Sequence, residues 1–186
     1  KAEHPLSYDD TAGTIPPQYV VEKIYELSHG EAIVCTEVGQ NQMWAAQYYK
    51  SDKPRKFISS GGLGTMGYGL PAAIGAQIGC PGALVVDIAG DGSIMMNIQE
   101  LATATFNKLP VKICILNNGY LGMVRQWQKM FYGGRYSSSV LHTSNPDFVK
   151  LAEAFGAEGI LVENKEDVVP ALKKAFKNGK TTVLDF

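Results

Sequence analysis

The chain has 186 residues, of which 45% are hydrophobic and 19% are charged, and its formal net charge at pH 7 is −1. A chain of this length fits one domain whose core can form without a disulfide or a structural metal. The charge near zero excludes a broad attraction for nucleic acid or an anionic membrane. No apolar run reaches the ~18 residues that a membrane span requires.

The opening segment looks different from the rest of the chain. Proline, glycine and adjacent acidic residues interrupt it before the first helical pattern begins. We therefore expect a leader or linker at residues 1–13 and one domain over residues 14–186. The first residue is Lys1 rather than methionine, so we expect either a processed chain or a piece of a longer protein.

From residue 16 onward, short apolar runs alternate with longer helix-like segments. This order is typical of a parallel α/β sheet. Most of the runs are rich in Val and Ile with little alternation, as in strands that are covered on both faces. We predict an α/β fold with a doubly wound, mostly parallel sheet of about six strands and helices on both faces. The predicted strands are Ala32–Thr36, Lys56–Ile58, Leu84–Ile88, Val111–Leu116, Ile160–Val162 and Thr182–Asp185.

The helices are predicted from apolar residues at helical spacing. The first helix is predicted over Pro16–Ser28. Another begins after the Asn145-Pro146 pair, since proline is favoured in the first turn of a helix. The apolar stripes are Ile98, Leu101, Ala102 and Leu109; Phe148, Leu151, Ala152 and Phe155; and Val168, Leu172 and Phe176.

The cysteines give no sign of a disulfide framework or a metal site. The three of them form no CxxC pair and no metal-type spacing with a histidine. Cys35 and Cys114 lie inside predicted strands, where a buried thiol acts as a small hydrophobe. This usage favours a reducing compartment, so we expect the cytoplasm.

In doubly wound sheets, ligands bind beyond the carboxyl ends of the strands, near the point where the strand order reverses. Two such ends carry polar motifs, Gly90-Asp91-Gly92-Ser93 and Asn117-Asn118-Gly119-Tyr120. Their separation fits a helix-containing crossover between neighbouring parallel strands. If the strands are neighbours, the Asp91 and Asn118 side chains emerge within reach of one ion.

The chemistry of these two side chains favours a hard cation. Carboxylate and amide oxygens suit Mg²⁺ or Ca²⁺ rather than zinc, and Mg²⁺ usually keeps positions for phosphates. The glycines beside Asp91 permit close backbone approach, and a helix starting after Ser93 would offer N–H groups to an anion. Either motif alone is also a common turn or loop signal.

The segment from Gly90 to Asn118, GDGSIMMNIQELATATFNKLPVKICILNN, resembles the signature of thiamine-diphosphate enzymes. Three further runs are similar to the acetolactate synthase (acetohydroxyacid synthase) family: VGQNQMW, SGGLGTMG and LGMVRQW, which begin at Val38, Ser60 and Leu121. The resemblance covers nearly the whole chain, from about Thr14 to Phe186. It implies the thiamine-diphosphate-binding fold.

The resemblance implies a role for each matching residue. Asp91, the Asn118 side chain and the Tyr120 carbonyl would ligate Mg²⁺. Met66 would hold the cofactor in its bent form, and Trp127 would shape the substrate channel. Residues implied to contact the cofactor are Gln40, Asn41 (often histidine in the family), Met43, Gly64, Met66, Gly90, Asp91, Gly92, Ser93, Asn118, Tyr120, Leu121, Gly122 and Met123.

Several of these residues have plainer interpretations. Met43 and Met66 could fill gaps in a core. Trp127 could belong to one buried helix face together with Met123, Val124 and Met130. The basic residues Arg125, Lys129 and Arg135 are interpreted as solvated surface.

The implied reaction decarboxylates pyruvate and transfers the two-carbon unit to a second 2-keto acid. The products would be 2-acetolactate or 2-aceto-2-hydroxybutyrate, on the route to branched-chain amino acids. In this family a glutamate on a separate pyrimidine-binding domain of a partner subunit completes the site, and nothing in this chain matches it. We therefore expect a fragment of a homodimer or tetramer that is inactive alone. FAD would bind mostly outside it, and a regulatory subunit is a further possible partner.

Two other functions remain open on sequence alone. One is another thiamine-diphosphate enzyme, of the pyruvate oxidase or glyoxylate carboligase type, against which the Gly122–Trp127 run argues. The other is a non-catalytic nucleotide-binding module with a Rossmann-like sheet. This second alternative lacks the GxGxxG motif after the first strand, where Thr36 is followed by Glu-Val-Gly-Gln.

Overall fold

The computed structural model describes residues 6–10 and 13–186. Across this part of the chain, six strands form one sheet in which every neighbouring pair is parallel. The strands are β1 (Ile33–Thr36), β2 (Phe57–Ser59), β3 (Val85–Gly90), β4 (Lys112–Leu116), β5 (Glu158–Leu161) and β6 (Thr182–Asp185), and they lie in the order β2-β1-β3-β4-β6-β5. The predicted α/β class and six-stranded sheet are confirmed.

Eight α-helices accompany the sheet within the described residues. A 3₁₀ turn at Ile98–Glu100 leads directly into the fifth of them. The helices are α1 (Pro17–Ser28), α2 (Gln40–Tyr48), α3 (Gly69–Gly79), α4 (Asp91–Ile94), α5 (Leu101–Phe106), α6 (Gly122–Phe131), α7 (Phe148–Ala154) and α8 (Lys165–Lys177).

The helices cover both faces of the sheet. Side chains alternate between the faces along a strand, and β3 shows this directly. Val86 and Ile88 pack with residues of α1, α2 and α8. Val85 and Ala89 pack with residues of α3, α5 and α7. The two core clusters therefore bury both sides of the central strands, which explains why most residues of those strands are apolar.

Local signals set the limits of the first helix. Pro17 begins α1, where its missing N–H costs no hydrogen bond and its fixed φ suits the helix. The helix ends at Ser28, and the next two residues, His29 and Gly30, have positive φ values of 52° and 69°. The His29 and Gly30 N–H groups donate to carbonyls of the last turn.

Most predicted elements are confirmed, with boundaries that shift by one or two residues. β3 continues to Gly90, so the strand runs into the polar motif itself. The expected helix after Ser93 is wrong, because the single-turn α4 already begins at Asp91. In the stripe that begins at Ile98, Ala102 is exposed and Leu109 lies beyond α5; Ala104 faces the core instead.

Part of the expected leader lies outside the described residues, namely 1–5 and 11–12. Of the rest, Tyr8 donates a 2.8 Å hydrogen bond to Glu22 and packs edge-on against Tyr48, with ring centroids 5.6 Å apart. Lys165 forms an ion pair with Asp10. Among residues 6–10 and 13–186, every helix falls short of the length and apolarity that crossing a bilayer requires.

The strand order reverses beside β1, at a switch point. From β1 the chain moves outward to β2, and it then returns to the other side of β1 to form β3. The loops after β1 and β3 therefore diverge at the carboxyl edge of the sheet, where doubly wound folds bind their ligands.

Candidate functional site: a pocket at the switch point

A pocket of about 260 Å³ opens at this switch point. It brings together every residue that the sequence assigned to cofactor contact. These are Gln40, Asn41, Met43, Gly64, Met66, Gly90, Asp91, Gly92, Ser93, Asn118, Tyr120, Leu121, Gly122 and Met123. Val38, Gly39, Gln42, Trp44, Leu116 and Val124 complete the lining and were not predicted.

Asp91 occupies the first position of α4, directly after β3, and its side chain is buried. Its Oδ2 accepts a 2.7 Å hydrogen bond from Nδ2 of Asn145. Burial raises the pKa of Asp91, and this is partly offset by hydrogen bonds from Asn145 and from backbone N–H groups. A cation beside the carboxylate would favour its ionised form.

The loop after β4 presents Asn118 and Tyr120 to the same pocket. The Tyr120 N–H donates to Oδ1 of Asn118 at 3.0 Å, and Nδ2 of Asn118 donates to Oε1 of Gln40 at 3.3 Å. The amide is thus oriented from both sides. Its oxygen keeps a second lone pair for another partner.

A series of hydrogen-bonded polar side chains connects Asp91 to the end of β6. Nδ2 of Asn117 donates to Oδ1 of Asp185 at 3.0 Å. Asn145 lies between Asp91 and Asn117, with its Nδ2 at 3.5 Å from Oδ1 of Asn117. Burial raises the pKa of Asp185 to about 6. Sequence reasoning missed the supporting roles of Asn117, Asn145 and Asp185; the Asn145-Pro146 pair signalled only a helix start.

Two glycines permit contacts that a larger residue would block. A Cβ on Gly122 would lie 2.1 Å from Oε1 of Gln40, and a Cβ on Gly92 would lie 2.5 Å from Cδ2 of Leu121. These glycines let the loop after β4 close against α2 and α4. The close approach brings the two polar motifs into one pocket.

The start of α2 forms another wall. Nε2 of Gln40 donates to Oε1 of Gln126 on α6 at 2.9 Å. Asn41 is only 3% exposed, and its Nδ2 donates to the carbonyl of Ile88 at 2.9 Å. That bond ties α2 to β3. One amide hydrogen of Asn41 is therefore engaged within the protein.

The two methionines of the pocket differ in exposure. Met43 is 47% exposed, so the interpretation as a buried gap-filler is wrong for it. Met66 is half-buried and lies just before Gly67, which has a positive φ of 81°. Gly64, on the same loop, has a φ of 65°.

Trp127 lies outside the pocket lining and is 56% exposed, in tilted contact with Phe131 at 5.3 Å between ring centroids. Within α6, all of which the structure describes, no residue is buried. The alternative of a buried helix face is therefore wrong. Val124 and Met130 are likewise exposed.

The sequence suggested that Arg125 belongs to the solvated surface, but its side chain packs against aromatic rings. Its guanidinium group lies between the rings of Tyr120 and Tyr136, 4.1 Å and 4.0 Å from their centroids. Such cation–π contacts hold a charged group against aromatic faces. This stacking links the Tyr120 loop to the segment after α6.

The donor set fits a hard cation better than a soft one. Among the described residues, no cluster of three His, Cys, Asp or Glu side chains could hold a metal. A site here would use one carboxylate, one amide oxygen and a backbone carbonyl, which are the ligand types of Mg²⁺ and Ca²⁺. The remaining positions would be free for phosphate oxygens.

Comparison with known proteins places this geometry in a family. The family model "Thiamine pyrophosphate enzyme, C-terminal TPP binding domain" matches residues 37–186. The chain therefore belongs to the thiamine pyrophosphate enzymes, as a domain of their C-terminal, cofactor-binding type.

Within this family, the chain is similar to acetolactate synthases. The chain is 50% identical over 186 residues to "Acetolactate synthase isozyme 3 large subunit" of Escherichia coli, covering 100% of the chain and 32% of that protein. It is 49% identical over 191 residues to "Acetolactate synthase 1, chloroplastic" of Nicotiana tabacum, covering 100% of the chain and 29% of the relative. The resemblance inferred from the sequence is confirmed. The chain spans about a third of the length of these curated relatives.

Proposed function

We propose that the chain is the diphosphate- and Mg²⁺-binding domain of an acetolactate synthase catalytic subunit. The observation that carries the proposal is the convergence of all fourteen expected contact residues on one pocket at the switch point. Identity of about half over the whole chain to acetolactate synthases supports the same assignment.

In this proposal, Asp91, the Asn118 amide oxygen and the Tyr120 carbonyl hold Mg²⁺. The backbone N–H groups of α4, which include those of Gly92 and Ser93, face the diphosphate, together with Gln40 and Asn41. Asn145 donates to Oδ2 of Asp91 and thereby orients the carboxylate toward the pocket. Bound thiamine diphosphate supplies the chemistry that decarboxylates a 2-keto acid.

The apolar residues of the pocket serve orientation and water exclusion. Met66 lies beneath the expected position of the cofactor ring and holds its bent shape, while Met43 and Gly64 border the ring. Leu121 and Met123 close the wall beside the metal ligands. Trp127, one turn further along α6, borders the substrate channel. Holding reacting groups in a fixed geometry removes much of the entropic barrier to reaction.

The substrates in this proposal are pyruvate and a second 2-keto acid, and the product is 2-acetolactate or 2-aceto-2-hydroxybutyrate. The rest of the enzyme supplies most FAD contacts and, from a partner subunit, the pyrimidine-binding domain. A regulatory subunit is a further partner. The cytoplasm is the proposed location, although some relatives are named as chloroplast proteins.

Exposed apolar side chains around the pocket support the proposal that another domain covers it in the full-length enzyme. Met43 is 47% exposed and Trp127 is 56% exposed. Met130 and Phe131, on the same helix as Trp127, are 63% and 62% exposed. An apolar face of this kind typically marks an interface. A pyrimidine-binding domain of a second subunit is the proposed occupant, and the isolated domain is expected to be inactive.

Calorimetry on the full-length parent tests the proposal. Thiamine diphosphate with Mg²⁺ should bind, and NAD should not. Binding of NAD without binding of thiamine diphosphate would instead indicate a nucleotide-binding module. Pyruvate turnover then identifies the reaction. Acetolactate is the expected product, whereas acetyl phosphate or tartronate semialdehyde would indicate a different thiamine-diphosphate enzyme.

A further inference from the structure

Glu37 is a buried acid beside the pocket that the proposed chemistry does not use. It follows β1 directly and is 0% exposed. Its Oε2 accepts hydrogen bonds from the Gly67 N–H at 2.8 Å and from the Ser93 hydroxyl at 2.7 Å. Its Oε1 accepts from the Leu70 N–H at 3.1 Å. One carboxylate thus joins three separate segments of the chain.

The bonded groups belong to the proposed cofactor site. Gly67 follows Met66, whose side chain lines the pocket, and Ser93 lines the same pocket from α4. Ser93 also accepts hydrogen bonds from the N–H groups of Val38 and Gly67, both at 3.2 Å. Glu37 therefore links the position of the Met66 loop to that of the α4 turn, because it accepts a hydrogen bond from each.

A second buried acid lies against the same segment. Asp87, on β3, is fully buried, and neither of its carboxyl oxygens has a hydrogen-bond partner among the described residues. A Cβ on Gly69 would lie 2.3 Å from Oδ1 of Asp87 and 2.9 Å from Cγ of Glu37. Both acids therefore crowd the start of α3.

The two buried acids differ in the hydrogen bonds that their carboxyl oxygens accept. Three groups donate hydrogen bonds to Glu37 and stabilise its carboxylate, whereas within residues 6–10 and 13–186 no group donates to Asp87. Burial and the neighbouring Glu37 raise the pKa of Asp87 well above its ordinary range. Two adjacent buried carboxyls do not both ionise readily. Burial raises the pKa of Glu37 as well, but the hydrogen bonds to its carboxylate oppose that rise. The causes acting on Asp87 only raise its pKa. Glu37 is therefore the acid of the pair that ionises first as the pH rises.

We propose that Glu37 is a positioning residue of the cofactor site. Its carboxylate fixes the Met66–Gly67 loop and the Ser93 hydroxyl relative to each other, so that the pocket is shaped before the cofactor arrives. This inference rests on the proposed function, since the positioned groups are those assigned to cofactor contact.

The test compares Glu37→Gln with wild type in the full-length parent. Amide hydrogen exchange of Gly67 and Leu70 is measured without cofactor, and the Kd for thiamine diphosphate is measured at saturating Mg²⁺. The glutamine side chain must turn an NH₂ group toward one set of donors, so that at least one bond is lost. We expect exchange at Gly67 or Leu70 to be about tenfold faster and the Kd to be about tenfold higher.

Two further variants separate positioning from folding. Glu37→Asp keeps the charge and should recover part of both losses, which a role limited to filling volume would not predict. Glu31→Gln makes the same chemical change at a surface site, where Glu31 pairs with Lys53 and Lys56, and should match wild type.

The outcomes are distinguishable. Faster exchange with a wild-type Kd in Glu37→Gln overturns the inference and leaves the proposed function intact. Unchanged exchange overturns it too, because the bonds to Gly67 and Leu70 would then not order the loop. Failure of the wild-type parent to bind thiamine diphosphate refutes the proposed function and, with it, the cofactor role of Glu37.

Discussion

Asn145 and Asp91 are joined by a 2.7 Å hydrogen bond from Nδ2 to Oδ2, although 54 positions separate them in the chain. The bond fixes the rotation of a carboxylate that begins α4 at the edge of the sheet. Asn145 in turn lies near Asn117, which bonds Asp185 at the end of β6. The orientation of Asp91 thus depends on the segment before α7, on the loop after β4 and on the end of β6.

Removing this support should weaken metal-dependent binding without abolishing it. Asn145→Ala leaves Asp91 in place but frees its Oδ2. A hydrogen bond to a charged group contributes about 1.5–3 kcal/mol, so we expect the Kd for thiamine diphosphate with Mg²⁺ to rise at least about tenfold. Calorimetry on the full-length parent measures it. Asn107→Ala, which removes an exposed side chain bonded to Thr103, is the matched control; equal Kd values for both variants would contradict the account.

The start of α3 should tolerate no added side chain, whereas its middle should. In Gly69→Ala the new Cβ would lie 2.3 Å from Asp87 and 2.7 Å from the backbone N of Glu37. Overpacking of this kind costs about 1–3 kcal/mol or more. Gly75→Ala, in the same helix, meets no atom within 4 Å and should stabilise the protein by roughly 0.5–1 kcal/mol. Urea unfolding compares the two, and a Gly69→Ala variant as stable as Gly75→Ala would show that the crowding is not real.

Asp185 should make the stability of the cofactor-free protein depend on pH. Burial raises the pKa of this carboxyl to about 6 from its ordinary value of 3.8. A carboxyl with a raised folded-state pKa stabilises the fold below its unfolded pKa, and that stabilisation is lost as pH rises through the folded pKa. Asp185→Asn keeps an oxygen that can accept from Asn117 but cannot ionise. Relative to this variant, wild type should lose stability between about pH 4 and pH 6.

Urea unfolding of both proteins across this range measures the difference. The gap should widen up to about pH 6 and stay constant at higher pH, where Asp185 is ionised in both the folded and unfolded states. A constant gap over the whole range would mean that Asp185 titrates normally in the fold.

Trp127 should matter for substrate and not for stability or cofactor. It is 56% exposed and lies outside the pocket lining, so Trp127→Leu should change the free energy of unfolding by less than about 0.5 kcal/mol. In the full-length parent, the KM for 2-keto acids should change while the Kd for thiamine diphosphate stays the same. Phe106→Leu, at the end of α5 and 86% exposed, is the control. If Trp127→Leu changed the Kd for thiamine diphosphate and the control variant did not, Trp127 would be a cofactor contact rather than a substrate contact.

The strands could be predicted from the sequence because parallel strands that are buried on both faces consist mostly of Val- and Ile-rich runs, as in Val85–Gly90. The sequence predicted the convergence of Asp91 and Asn118 because parallel strands bring their carboxyl ends to one edge. It could not show which distant side chains support that edge. Glu37 and Ser93 are 56 positions apart, and their hydrogen bond depends on side-chain directions that no local pattern encodes.

One missed signal was nevertheless present. Asp87 stands in the middle of the apolar run LVVDI, and Glu37 follows AIVCT directly. An acid inside a strand buried on both faces must be paired or neutral. That argument marks both positions as candidates for a structural or functional role. Their shared location at the start of α3 emerged only with the fold.

Magnesium-dependent cofactor binding is the property that depends most directly on Asp91 as a metal ligand. The measurement is the Kd for thiamine diphosphate, with and without Mg²⁺, in the full-length parent carrying Asp91→Ala. Asp52→Ala, an exposed position, serves as the control, and circular dichroism verifies that the fold is intact. We expect Asp91→Ala to abolish the Mg²⁺-dependent binding and Asp52→Ala to retain it. Wild-type affinity in a folded Asp91→Ala protein would show that Asp91 does not hold the metal.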